Sequence, residues 1–245
     1  MTVLRSVVFA AVFYLWSSLL SPPYLPLMLL PRRFFWRCCL SWCRSCLSII
    51  KWVAGIDYEV RGMENLPGGP VILASKHQSA WDTLIYNTLV LDCAYVVKRE
   101  LLWFPFFGWF LWRVGMIGVD REGGASALKN LVADARDRLA AGRSIVVFPQ
   151  GTRTPPGEDR PYLAGIAALY GKCDVPVVPI ALNSGVYWPR REFLKYPGTI
   201  VVEFLPPIEP GLDRKEFMKT LRERIEPASD KLCREARQRL GQTSG

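Results

Sequence analysis

Residues 6–31 carry no charge, a run long enough to enter a bilayer. Within it, residues 7–20 predict a helix of roughly 20 Å at about 1.5 Å per residue, short of the roughly 30 Å hydrocarbon core. Ser21-Pro22-Pro23 and Pro26 are expected to break it there. Arg5 gives the segment the charged start of a signal peptide, but no small-residue cleavage site follows, so it reads as a retained anchor. The pattern then turns amphipathic. Arg33, Arg37, Arg44 and Lys51 share one helical face with Ser41, Ser45 and Ser48, while Phe35, Trp36, Cys39, Trp42, Cys43, Cys46, Ile49, Ile50 and Val53 fill the opposite arc. Such a segment is expected to be monotopic, lying in the headgroup plane with its cations on anionic lipid and its tryptophans at the acyl boundary. Packing of the same arc on the protein's own core is the competing reading.

Beyond Gly55 short apolar runs alternate with helical patterns. Residues 56–60, 71–74, 93–97, 115–121, 144–148, 175–182 and 199–204 read as strands, and residues 83–91, 124–142, 162–173 and 214–240 as helices. Pro176 and Pro179 suit a strand start or a sheet edge. Residues 214–240 read as a charged, solvated helix. Residues 101–112 hold more aromatics than a surface helix tolerates, so they either form core or face acyl chains. Strands alternating with helices predict an α/β fold, a mostly parallel central sheet flanked by helices. The chain divides into membrane-associated helices over residues 1–54 and an α/β domain over residues 55–245.

Half of the 245 residues are hydrophobic, yet the formal net charge is +9. Greasy and basic together, the chain is suited to an anionic surface, phospholipid or an acidic partner, and no nucleic-acid partner is expected. The seven cysteines (Cys38, Cys39, Cys43, Cys46, Cys93, Cys173 and Cys233) are odd in number and clustered in an apolar segment, which reads as reduced thiols in a reducing compartment. Cys43 and Cys46 have C-x-x-C spacing, but thiolate ligands must converge on one point and these lie along a helical pattern, so no metal is expected.

His77 is the only histidine, and it sits in Lys76-His77-Gln78-Ser79-Ala80-Trp81-Asp82, between a strand and a helix. Ser79 reads as the helix N-cap with Asp82 at the third helical position. On one straight helix five residues subtend roughly 140°, which would keep His77 and Asp82 apart. A loop followed by a first turn folds the imidazole back over the carboxylate, and Asp82 then fixes the tautomer and favours the imidazolium formed when His77 takes a proton. No protein nucleophile is needed if the substrate supplies its own hydroxyl. The alternative is structural: a hydrogen-bonded histidine beside a helix that Asp82 caps.

Four stretches, in order, resemble the acyltransferase blocks of the lysophosphatidic acid acyltransferase family. They are His77-Gln78-Ser79-Ala80-Trp81-Asp82, matching H-x4-D; residues 115–121; Phe148-Pro149-Gln150-Gly151-Thr152-Arg153-Thr154, matching F-P-E-G-T-R-S; and Val175-Pro176-Val177-Val178-Pro179. The similarity spans residues 66–182. It implies transfer of an acyl group from acyl-carrier protein or coenzyme A to the free hydroxyl of 1-acylglycerol 3-phosphate, giving phosphatidic acid, with no cofactor, at the cytoplasmic face of the inner membrane. By this resemblance His77 is the general base and Asp82 its orienter. Arg121 and Arg153 bind the acceptor's phosphate, with Lys98, Gln150, Gly151 and Thr152 completing the substrate-binding set. An Arg guanidinium holds phosphate oxygens with two parallel hydrogen bonds, and a glycine lets backbone N–H groups approach an anion. Two positions depart from the family pattern. Gln150 stands where Glu is usual, and Leu163 where a Lys is common, with Arg160 nearby as a replacement cation. These departures leave room for another lysolipid acceptor, such as a lyso-aminolipid. A non-catalytic membrane lipid-binding protein is the reading from a different class, and the retention of both His77 and Asp82 favours an enzyme.

Overall fold

The structure is a computed structural model that describes residues 2–241. Two helices, α1 (Thr2–Leu27) and α2 (Arg32–Ile49), come first and are continued by a π-helical turn, Ile50–Ala54. There follow β1 (Ile56–Arg61), β2 (Ile72–Ser75), α3 (Asp82–Leu89), β3 (Ala94–Lys98), α4 (Phe107–Arg113), β4 (Ile117–Val119), α5 (Gly124–Ala140), β5 (Ile145–Val147), α6 (Ala164–Cys173), β6 (Val177–Leu182), α7 (Ser184–Tyr187), β7 (Gly198–Phe204) and α8 (Arg214–Arg239).

Pro22, Pro23 and Pro26 lie inside α1, so the expected break does not occur and the helix is roughly 39 Å long at about 1.5 Å per residue. The prolines fall in the last turns, where neighbours hold the chain. Tyr24 donates to the Cys38 carbonyl at 3.0 Å and packs on Phe110. This tertiary contact offsets backbone hydrogen bonds that proline cannot make. Trp16 Nε1 donates to Ser45 Oγ at 2.8 Å, so α1 and α2 form an antiparallel hairpin. α1 is the one helix among the described residues long and apolar enough to cross a membrane.

Arg33, Arg37, Arg44 and Lys51 are exposed along α2 and its extension, as the periodicity requires. Part of the opposite arc packs on protein. Phe35, Cys46 and Ile50 are fully buried, and Cys46, Leu47 and Ile50 share a core with Ile85 of α3. The periodicity identified the apolar face correctly; protein covers part of it, while Trp36 and Trp42 stay half-buried. At the hairpin's turn, the Arg32 guanidinium grips Asp92 with two hydrogen bonds (2.8 and 2.5 Å), and Arg113 donates to the carbonyls of Met28 and Leu30. The hairpin is thereby fastened to the domain by charge-assisted and bidentate bonds.

The seven strands form one sheet in the order β1-β7-β6-β2-β5-β3-β4, parallel throughout except for the β6–β7 pair. Helices cover both faces, which is why β2 reads as unbroken apolar sequence. Leu73 packs with the α2 and α3 side, whereas Ile72 and Ala74 pack with α5, α6 and α8. β6 is interior, not at an edge. Its Pro179 falls between the Val177–Ile208 bridge and the Ile180–Phe204 pair, where the ladder asks for its carbonyl, which accepts from Leu205, and not for an N–H. α8 is solvated on one side only, since Phe217, Leu221, Ile225 and Leu232 are buried, with Phe217 stacked on Tyr170 at 3.8 Å. Residues 101–112 are not core: Trp103, Phe104 and Trp112 are 69%, 61% and 67% exposed.

Candidate active site

β2 ends at Ser75, and the chain turns through residues 76–81 before α3 begins at Asp82. His77 and Asp82 meet. The imidazole Nδ1 lies 2.8 Å from Asp82 Oδ2, and the same oxygen accepts the backbone N–H groups of Gln78 (2.8 Å) and Ser79 (2.9 Å). Three donors on one carboxylate oxygen leave it little freedom to move. The expected capping box is half formed: Asp82 returns a bond to the Ser79 N–H, but Ser79 Oγ accepts from Trp81, and Asp82 is the first residue of α3 instead of the third helical position. Asp82 is fully buried and its Oδ1 has no partner among the described residues, while the His77 side chain keeps 12% of its surface open. With Nδ1 donating to the carboxylate, Nε2 is the nitrogen left to accept a proton.

The imidazole lies flat on the Phe148 ring, centroids 3.9 Å apart and planes 17° apart. Phe148 follows β5, and the loop after it returns to the histidine, where the Thr154 N–H donates to the His77 carbonyl at 2.7 Å. Beneath the turn, Ser75 Oγ and the Tyr86 hydroxyl are 2.5 Å apart, and burial first, then the Asp82 carboxylate, pushes the Tyr86 phenol well up. Lys76 is buried with its ammonium on Glu226 at 2.5 Å, and Glu226 also accepts from Tyr162 at 2.7 Å. Burial and that carboxylate push the Tyr162 phenol well up. The Lys76–Glu226 pair ties α8 to the residue before His77.

The remaining sequence candidates stand at the carboxyl ends of adjacent parallel strands, where open α/β sheets place ligands. Lys98 ends β3, in an exposed pair with Glu100 at 2.9 Å. Arg121 follows β4 and is exposed. Gly151 adopts φ +64°, and a Cβ there would stand 2.4 Å from Leu163 Cδ1 and 3.7 Å from Arg121 Cζ, so the loop approaches both as only glycine permits. Thr152 and Arg153 are half-buried on this loop. Gln150 is buried, and neither amide atom has a partner among the described residues. Arg160, the replacement cation, is engaged with Glu158 at 2.7 Å.

A cavity of about 380 Å³ reaches this site from the side of the helical hairpin. Tyr14 and Tyr24 of α1, Trp36 and Cys43 of α2, Leu84 of α3, Phe110 of α4, Val97 of β3, and Met116 and Phe148 beside β4 and β5 line it. Phe148 is therefore both a cavity wall and the surface on which His77 rests. The sequence reading missed Phe148, Lys76 and Glu226 as parts of the site. Only a lysine adjoining an apolar strand hinted at the second.

A family model described as "Acyltransferase" matches residues 57–183. A 1-acyl-sn-glycerol-3-phosphate acyltransferase of Pseudomonas aeruginosa is 38% identical over 226 residues, 92% of this chain and 87% of that protein. The 1-acyl-sn-glycerol-3-phosphate acyltransferase alpha of Homo sapiens is 34% identical over 168 residues, 67% of this chain and 59% of that protein, so the chain spans less than two thirds of this longer relative. In three dimensions the chain is similar to the 1-acyl-sn-glycerophosphate (LPA) acyltransferase of Thermotoga maritima, with a TM-score of 0.78, 20% identity, and coverage of 95% of this chain and 98% of that one, a likeness of fold.

Proposed function

The chain belongs to the acyltransferase family, and on that premise we propose that it acylates the free hydroxyl of 1-acylglycerol 3-phosphate, giving phosphatidic acid. The observation that carries the reading is the His77–Asp82 pair resting on Phe148 at the end of an apolar cavity. An acyl chain in the cavity brings its thioester carbonyl to the imidazole. His77 Nε2 takes the proton of the acceptor hydroxyl as the hydroxyl oxygen bonds to the carbonyl carbon. The tetrahedral intermediate then expels the thiolate, which takes the proton back from the imidazolium. Asp82 holds the ring in the accepting tautomer and stabilises its charged form. Purified protein in detergent, given labelled acyl donor and a panel of lysolipids, tests the proposal. Labelled phosphatidic acid is expected; preference for a lyso-aminolipid would replace the acceptor, and no acylated product would leave a lipid-binding protein.

Arg153 and Arg121 are assigned to the acceptor's phosphate, supported by their place on and beside the Gly151 loop. Arg153→Ala should raise the acceptor's KM by roughly tenfold or more, because charge-assisted bonds contribute about 1.5–3 kcal/mol each. Arg153→Lys should recover part, since an ammonium lacks the planar fork. An unchanged acceptor KM in Arg153→Ala would remove the assignment.

The protein is assigned to the cytoplasmic face of the membrane, a reading supported by the seven free cysteines and by the basic face of α2. α1 is long enough to span, but it lies along the domain: Ser6 accepts from the Lys195 N–H, Phe9 packs edge-on to Trp188, and Tyr24 packs on Phe110. That contact along its length supports a monotopic hairpin, with exposed Leu4, Leu15 and Leu19 and the aromatics around α4 in one leaflet. Reporters fused ahead of and behind the chain should lie on the same side of the membrane. Opposite sides would require α1 to cross.

A further inference from the structure

A second pocket, of about 260 Å³, is walled by Pro155, Pro156, Gly185, Arg190, Tyr196 and Arg237. The cavity takes its sheet-side lining from β3 and from residues beside β4 and β5, and the pocket takes its lining from α7 and the segment after it, which follow β6, from the loop after β5 and from α8. Two bonds tie the pocket to the residues around His77: the Gly185 N–H donates to Gln78 Oε1 at 3.0 Å, and the loop that supplies Pro155 and Pro156 is held by Thr154 on the His77 carbonyl.

The pocket is cationic. Arg190 Nη1 donates to the Arg153 carbonyl at 2.8 Å and Arg237 Nη2 to the Pro156 carbonyl at 3.2 Å, so these bonds go to backbone carbonyls, which carry no neutralising charge. Arg190 Nε is buried and has no partner among the described residues. Burial, and after it the neighbouring Arg191, Arg153 and Arg160, hold the Arg190 guanidinium below the usual arginine range. Glu192 is the carboxylate on the pocket wall, and Glu158 is already engaged with Arg160. Guanidiniums gathered round a polar recess, one with an unused donor, suit a phosphate.

We propose that this pocket binds the phosphate of the acyl donor's pantetheine arm, the group that coenzyme A and acyl-carrier protein share. The proposal rests on the acyl-transfer reading above. With the acyl chain in the cavity and its carbonyl at His77, the sulfur side of the thioester leaves away from the cavity, towards Arg190 and Arg237. The acceptor's phosphate is then left to Arg121 and Arg153, beside and on the Gly151 loop.

Full-length protein in detergent carrying Arg190→Gln or Arg237→Gln tests this. With acyl-coenzyme A and acyl-carrier protein tried separately, the KM of the donor that serves should rise roughly tenfold, while kcat at saturating donor and the acceptor KM stay unchanged. Arg190→Lys should recover part of the loss. Calorimetry with coenzyme A, pantetheine and holo-acyl-carrier protein gives a readout without turnover. Coenzyme A or the holo-protein should bind more weakly to Arg190→Gln, and pantetheine, which has no phosphate, should not distinguish the proteins. If the unmodified protein acylates nothing yet binds coenzyme A through Arg190, the acyl-transfer reading fails and the phosphate site stands. A rise in acceptor KM alone would show that Arg190 merely holds the Arg153 loop, and unchanged donor KM and binding would remove the site; either overturns the proposal.

Discussion

His77→Ala is expected to lower kcat by about 10²–10⁴-fold with little change in KM for either substrate, the loss typical of a general base. A hydroxyl stays protonated at neutral pH unless a group takes its proton as the C–O bond forms, and no other histidine exists in the chain to do so. The ring is not part of the hydrophobic core. It rests on Phe148 in the turn after β2, outside the sheet and α3, with 12% of its side chain open, so its removal is expected to leave both intact. The measurement is steady-state kinetics on folded variant, checked by its thermal unfolding. Near-normal turnover would eliminate the proton-transfer mechanism and with it the role given to Asp82. Phe148→Leu separates positioning from chemistry, since the base remains but loses its flat support. A smaller fall in kcat is expected there.

The meeting of His77 and Asp82 was legible because it is local: five residues, a strand end and a helix start determine it. The alternation that predicts the sheet was legible for the same reason, one periodic segment at a time. What covers each apolar face was not. Part of the arc of α2 that reads as lipid-facing packs on α3, and residues 101–112, whose aromatics read equally as core or as facing acyl chains, turn Trp103 and Trp112 outward. Periodicity gives the face of an element, and only the packing of distant elements says whether protein or lipid meets it. The prolines were misread similarly. Pro22 and Pro23 break isolated helices, and Pro179 is disfavoured in a strand interior, yet Tyr24 on Phe110 holds the first pair and an irregular stretch of the β6–β7 ladder accommodates the other. Phe148 follows β5 and His77 follows β2, so its stacking on the imidazole depends on the β2–β5 pairing that no local pattern encodes.

Asp82 is expected to separate two roles when it is replaced in two ways. Its Oδ2 accepts from the imidazole and from the N–H groups of Gln78 and Ser79, so one atom both holds the ring that we propose as the base and caps the turn into α3. Asp82→Ala removes all three acceptor bonds and strands two buried backbone donors, at about 1–3 kcal/mol each, and should therefore cost both stability and turnover. Asp82→Asn keeps an oxygen where the backbone donors need it and should fold with nearly the original stability. It removes the charge that favours the imidazolium, and kcat should still fall on the order of 10²-fold. Because Asp82 acts through His77, the double variant His77→Ala with Asp82→Asn should be no slower than His77→Ala alone. Losses that multiply in the double variant would show that Asp82 works independently of the histidine. An Asp82→Asn protein with full kcat would reduce the carboxylate to a helix cap.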